Sequence, residues 1–201
     1  MRTLRLLATT LLVAGLAATP LTTLAGNGMG NGGGRPDAPG AAASATVLAP
    51  LSDEEIATLL WMREEEKLAR DVYIAMTATY PTAKVFSNIA AAEQKHFDAI
   101  GRKLELYGIP DVALPEVGAF YDQDLQQMYV DFVADGSVSY VDALFVGVAI
   151  EEADMVDLTL AIDGTASRPL KRTYSHLLIG SQHHLDSFIR LLEKEGVDYE
   201  P

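Results

Sequence analysis

The chain has no cysteine among its 201 residues, and that absence removes a group of chemistries at once. Disulfides, thiolate zinc sites, cysteine-ligated iron–sulfur clusters, cysteine nucleophiles and a lipid-modified N-terminal cysteine are all excluded. Basic residues are scarce: 15 Lys and Arg stand against 28 Asp and Glu, a formal charge of −13. General nucleic-acid or anionic-membrane binding needs clustered Lys and Arg, so the charge balance argues against those partners. No stretch alternates apolar and polar residues over a useful length, and nothing repeats at a solenoid period. What is there is a 49% apolar composition, enough for a core in one domain with appendages. An acidic chain attracts cations, although acidity by itself is most often a solubility device.

Arg2 and Arg5 precede an apolar run, Leu6 to Ala18, too short to span a bilayer comfortably, and Thr23-Leu24-Ala25 supplies a small-x-small cleavage pattern. Residues 1–25 therefore read as a signal peptide, with a retained membrane anchor as the alternative, and the mature protein as exported, periplasmic or secreted. Cleavage leaves 13 basic against 28 acidic residues, a formal charge of −15, with no stable membrane insertion expected. Residues 26–47 are Gly- and Ala-rich with Pro36 and Pro39, a flexible tether, and 48–201 form the globular domain.

Within that domain the signals are helical. Ser52 and Glu55 form a capping box for a helix expected to reach about Thr79, ahead of Pro81. A second is expected from Thr82 or Lys84 to Tyr107, closed by Gly108. A long connection with Pro110, Pro115 and Gly118 follows, including a short helix from Asp122 to Ala134 closed by Gly136. Ser139 opens a third long helix ended by Asp163-Gly164, and Arg168-Pro169 opens a fourth ended by Gly196. Four long helices, with a connection long enough to cross their full length between the second and third, predict an all-α four-helix bundle.

Helices in such a bundle bury positions spaced by threes and fours. Those paths are Leu59, Met62, Glu66, Ala69, Tyr73, Met76 in the first helix and Phe86, Ile89, Glu93, His96, Ile100 in the second. They are Val141, Leu144, Val148, Glu151, Met155, Leu158 in the third and Leu170, Tyr174, Leu177, Ser181, His184, Phe188 in the fourth. Each path is apolar above and below and polar at its midpoint. An ionised carboxylate in an apolar core costs several kcal/mol unless compensated, and several at one level repel one another. A cation bound by them removes both problems. Oxygen and imidazole donors without sulfur suit iron, manganese or zinc. The alternative is a buried salt-bridge network of these carboxylates with Arg63, Lys67 and Arg70. Glu64 lies off the path, so its replacement is expected to do little to metal binding.

The run Glu66-Lys67-Leu68-Ala69-Arg70-Asp71-Val72-Tyr73 is similar to the first-helix motif Glu-x-x-Ala-Arg-x-x-Tyr of the rubrerythrin branch of the ferritin-like superfamily. Glu93-Gln94-Lys95-His96 resembles that branch's second-helix Glu-x-x-His. With Gly180-Ser181-Gln182-His183-His184-Leu185, the chain looks most like an exported bacterial and archaeal ferritin-like family known as a domain of unknown function. The resemblance implies metal ligation by Glu66, Glu93, His96, Glu151 and His184, with one or two ions, iron or manganese first. It departs at Ser181, where the branch has a carboxylate three before the histidine; Asp154, three after Glu151, is a compensating candidate. Glu152 is a weaker one, and His183 lies about 100° around the helix from His184. No cysteine-rich electron-transfer module accompanies the domain. Three functions stay open: a di-metal oxidoreductase acting on oxygen or peroxide, a non-catalytic one-metal binder or sensor, and a metal-free structural bundle. Metal ions are the expected partners, and a homo-oligomer is left open.

Overall fold

Ser52 starts the first helix as its composition demands: its hydroxyl accepts the Glu55 N–H at 3.1 Å while Glu55 Oε2 accepts the Ser52 N–H at 2.9 Å. In this computed structural model, which describes residues 48–199, five helices follow in order: α1 Asp53–Thr79, α2 Lys84–Tyr107, α3 Gln123–Gly136, α4 Tyr140–Gly164 and α5 Arg168–Lys194. No strand occurs among the described residues. The expected signal peptide, 1–25, and tether, 26–47, lie outside them. No described helix is long and apolar enough to cross a membrane.

The boundaries follow local chemistry. α1 ends at Tyr80, before Pro81, and α2 ends on Gly108 in the left-handed region, φ 67°. Asp122, Ser139 and Ser167 cap α3, α4 and α5 through their side chains. Gly136 departs from expectation: it does not close α3 from outside but belongs to its last turn. A Cβ there would lie 2.7 Å from Met76 Sδ, so this glycine serves close helix packing rather than a C-cap.

α1 pairs with α2 and α4 with α5, each as a hairpin; α1 also packs on α4, α2 on α5, and α3 on both α1 and α4. Two apolar clusters result. One gathers Val72, Met76, Phe86, Ile89, Leu125, Leu144 and Phe188; the other gathers Leu59, Met62, Ile100, Leu104, Leu158, Leu170 and Leu177. On each long helix the polar midpoint falls between the two.

α1 is more enclosed than a one-sided stripe allows: every residue from Met62 to Tyr73 is buried. Its outer face is covered by the connection between α2 and α3. Glu64 is buried and accepts the backbone N–H groups of Tyr121 and Asp122 at 2.7 and 2.8 Å, so it anchors that connection. The basic residues also turn to this side instead of forming a network with the interior carboxylates. Lys67 pairs with Asp71 at 2.6 Å and donates to the Glu116 and Ala119 carbonyls; Arg70 binds Asp71 and Gln94; Arg63 binds Asp111 and the Phe97 carbonyl.

Candidate metal centre

At the level between the two apolar clusters, each long helix delivers its polar midpoint inward. Glu66 comes from α1, Glu93 and His96 from adjacent turns of one face of α2, Glu151 from α4 and His184 from α5. The carboxylates of Glu66, Glu93 and Glu151 are each 1% exposed. Two groups of three donors form, each with its ligand atoms within 4.8 Å of one another: Glu66, Glu93 and His96, and Glu93, Glu151 and His184. Glu93 belongs to both. Its Oε2 lies 2.9 Å from His96 Nδ1 and its Oε1 lies 2.6 Å from His184 Nδ1, while His96 Nδ1 is 3.3 Å from Glu66 Oε2 and His184 Nδ1 is 3.5 Å from Glu151 Oε2.

These separations are short, yet they are not hydrogen bonds. His96 Nδ1, His184 Nδ1, Glu93 Oε1 and Glu66 Oε1 are all buried without a well-aligned hydrogen-bond partner among the protein atoms. Buried polar atoms are normally paired, so donors that crowd together without pairing need another partner. Atoms converging on a shared point, with oxygen and nitrogen donors and no sulfur, suit a cation. The residues present therefore fit a metal.

The electrostatics agree. Burial raises the carboxyls of Glu66 and Asp154 well above the usual range, with neighbouring carboxylate charge adding to it, and burial with the Glu93 charge pushes Glu151 up to about 7. Burial would raise Glu93 as well, but the two imidazoles flanking it prevail and lower it to about 2. Burial opposes the imidazolium forms of His96 and His184; the facing carboxylates overcome it and raise them to about 11 and about 9. Without an ion, protons supply the positive charge that the cluster needs.

Asp154 is buried at this level but enters neither triad: Oδ2 accepts the Ser181 hydroxyl at 2.5 Å and Oδ1 has no partner. Ser181, where the resemblance leads one to look for a carboxylate, is fully buried and also donates to the Leu177 carbonyl. His183 is exposed, and Glu152 accepts from the Tyr199 hydroxyl at 2.8 Å, away from both triads. Three contributors were not legible as such. The Tyr73 hydroxyl donates to Glu151 Oε1 at 2.6 Å, although Tyr73 lies on the buried path and in the quoted motif. Gly180 leaves room for an imidazole: a Cβ there would lie 2.5 Å from His96 Nε2. Glu65, next to Glu66, is buried with Oε2 unpartnered.

Comparison with known proteins gives a consistent relationship. Residues 55–201 match the family model described as Uncharacterized protein domain (DUF2202). Uncharacterized protein MJ0754 of Methanocaldococcus jannaschii is 42% identical over 153 residues, covering 76% of this chain and 82% of its own length. The crystal structure of hypothetical protein MJ0754 from Methanococcus jannaschii DSM 2661 superposes with a TM-score of 0.75 at 41% identity, over 79% of this chain and 90% of that one.

Proposed function

The chain belongs to the Uncharacterized protein domain (DUF2202) family, and from its centre we propose that it is an exported ferritin-like four-helix bundle holding two ions of iron or manganese. Glu93 carries this reading: one of its oxygens faces each triad, so it would contribute a donor to both. Glu66 and His96 would hold one ion, Glu151 and His184 the other. The rubrerythrin-type motifs around Glu66 and Glu93 support the fold, as does the pairing of α1 with α2 and α4 with α5, while α3 lies in the crossover. Bound iron or manganese would supply a change of oxidation state toward oxygen or peroxide. The chain's own residues bind and orient: Tyr73 holds Glu151, Gly180 makes space for His96, and the two apolar clusters keep water from the centre. Electrons would come from an outside donor, since the chain has no cysteine to hold a cluster.

Ser181 favours a second reading, a non-catalytic binder with one ion. Its hydroxyl is committed to Asp154, so α5 offers one donor where the resemblance has two. Metal analysis of the full chain from its exporting host, with Gly26 as the expected N-terminus, separates the readings. The two-ion reading expects about two ions per chain and loss of both in Glu93→Gln. About one ion in the parent supports the binder. A metal-free parent whose Glu93→Gln variant is more stable would establish a structural bundle.

A further inference from the structure

A second set of acids lies on the seam between α1 and α4. Asp157, Asp154 and Glu151 recur every three residues along one face of α4, about 4.5 Å of rise apart. Their exposure falls along that line, from half-buried Asp157 to Asp154 at 5% and Glu151 at 1%. α1 runs antiparallel along the same seam: the Trp61 indole N–H donates to Asp157 Oδ2 at 3.2 Å, and Glu65, one turn on, sits against Asp154 and Asp157. Glu65 Oε2 and Asp154 Oδ1, on side chains more than nine-tenths buried, have no hydrogen-bond partner.

Among the described residues, no Lys or Arg forms an ion pair with Asp157, Asp154 or Glu65. Arg63, Lys67 and Arg70, the cations of the same stretch of α1, are directed to Asp111, Asp71 and Gln94 on the other side. Buried carboxyls with open oxygens and no Lys or Arg beside them are costly in a structural role, and a hard cation can displace the protons they hold. The row does not make a resting site: among the described residues, only the two triads bring three donors within 4.8 Å of one another. Its inner end, Asp154, lies one helical turn from Glu151 on α4 and feels the charge of that carboxylate.

We infer that Asp157, Glu65 and Asp154 form the uptake route by which a divalent cation passes from the surface, along the α1–α4 seam, to the centre. This rests on the metal reading above. The test is rapid mixing of the metal-free mature chain with cobalt(II), a coloured stand-in for iron(II), followed by measurement of final metal content. Glu65→Gln and Asp157→Asn keep shape and should slow uptake about tenfold, within the range of local electrostatic steering, while reaching the parent's final content. Asp163→Asn, the same charge change at an exposed position off the row, should load at the parent's rate. Equal rates in all chains would overturn the route. So would equal slowing in Asp163→Asn, which would make the effect one of overall charge, or reduced final content in Glu65→Gln, which would make Glu65 a ligand. A parent that takes up no cobalt would overturn the centre itself, a failure distinct from a parent that loads normally beside unaffected variants.

Discussion

Tyr73 donates its hydroxyl to Glu151 Oε1 at 2.6 Å from a fully buried position, which leaves Oε2 of that carboxylate to face His184. Outer partners of metal ligands are commonly worth a factor of roughly 10 to 100 in metal affinity. Tyr73→Phe keeps the packing and removes only the hydroxyl, so metal should be retained about tenfold less tightly in chelator competition, with the helical content unchanged. Parent affinity in that variant would show that packing alone orients Glu151. The same cluster makes the stability of the metal-free chain depend on pH. Glu151, His184 and His96, raised to about 7, about 9 and about 11, each hold a proton more tightly folded than unfolded. Their contributions are therefore full below the unfolded values and are lost as pH rises through the folded ones. Glu93, lowered to about 2, has the opposite sign, and its contribution is lost only toward acid. Denaturant unfolding of the metal-free chain should show lower stability at about pH 9 than at about pH 6. Added metal should flatten the difference, because it takes the place of those protons. Equal stability of the metal-free chain at both values would contradict the proton-balanced cluster.

Among the elements, the long helices were the most legible, because periodicity and end signals agree: Ser52 with Glu55, Pro81, Gly108, Ser139 and Pro169 all mark ends close to where helices start or stop. The threes-and-fours paths also placed Glu66, Glu93 and Glu151 on faces that the structure buries. What escaped was the other side of α1. A stripe assumes one buried face, and an irregular connection has no periodicity to announce where it docks. Hence the sequence pattern offers Arg63, Lys67 and Arg70 only the interior carboxylates as partners, whereas most of the charged run from Arg63 to Asp71 fastens residues 111–122. Gly136 differs from expectation for a related reason: a glycine at a helix end signals a cap unless the neighbour it admits, here Met76, is known. Glu64 offers a test at this scale. Its two oxygens each accept a backbone N–H in a buried setting, and hydrogen bonds to a charged group are worth about 1.5–3 kcal/mol apiece. Glu64→Gln keeps one acceptor and should cost about 1–3 kcal/mol in urea unfolding, while leaving metal content at the parent level. A variant as stable as the parent would show that the connection is held without Glu64; one that lost metal would join the connection to the centre.

For the molecule as a whole, the question is where the cooperative unit begins. Glu55 closes it on the N-terminal side. Besides completing the capping box with Ser52, its Oε1 accepts the Thr165 hydroxyl at 2.5 Å and the Ala166 N–H at 3.0 Å, tying the start of α1 to the turn between α4 and α5. Leu51 packs on the apolar cluster of Leu59 and Leu170, so the chain is engaged with the core from that residue onward. The preceding stretch, 26–47, is Gly- and Ala-rich and brings almost no bulky apolar surface to bury. Deleting 26–47 should therefore move the thermal midpoint by less than about 2 °C. Glu55→Ala, a single substitution, should lower it further, by several degrees. A lost cap interaction costs about 1 kcal/mol, the tie to Thr165 and Ala166 adds to that, and each kcal/mol is worth roughly 2–4 °C in a domain of this size. Thermal unfolding of the two variants beside the parent, followed by far-ultraviolet circular dichroism, makes the comparison direct. If the truncated chain lost as much as Glu55→Ala, the glycine-rich stretch would be packing on the helices, and the unit would begin well before Leu51.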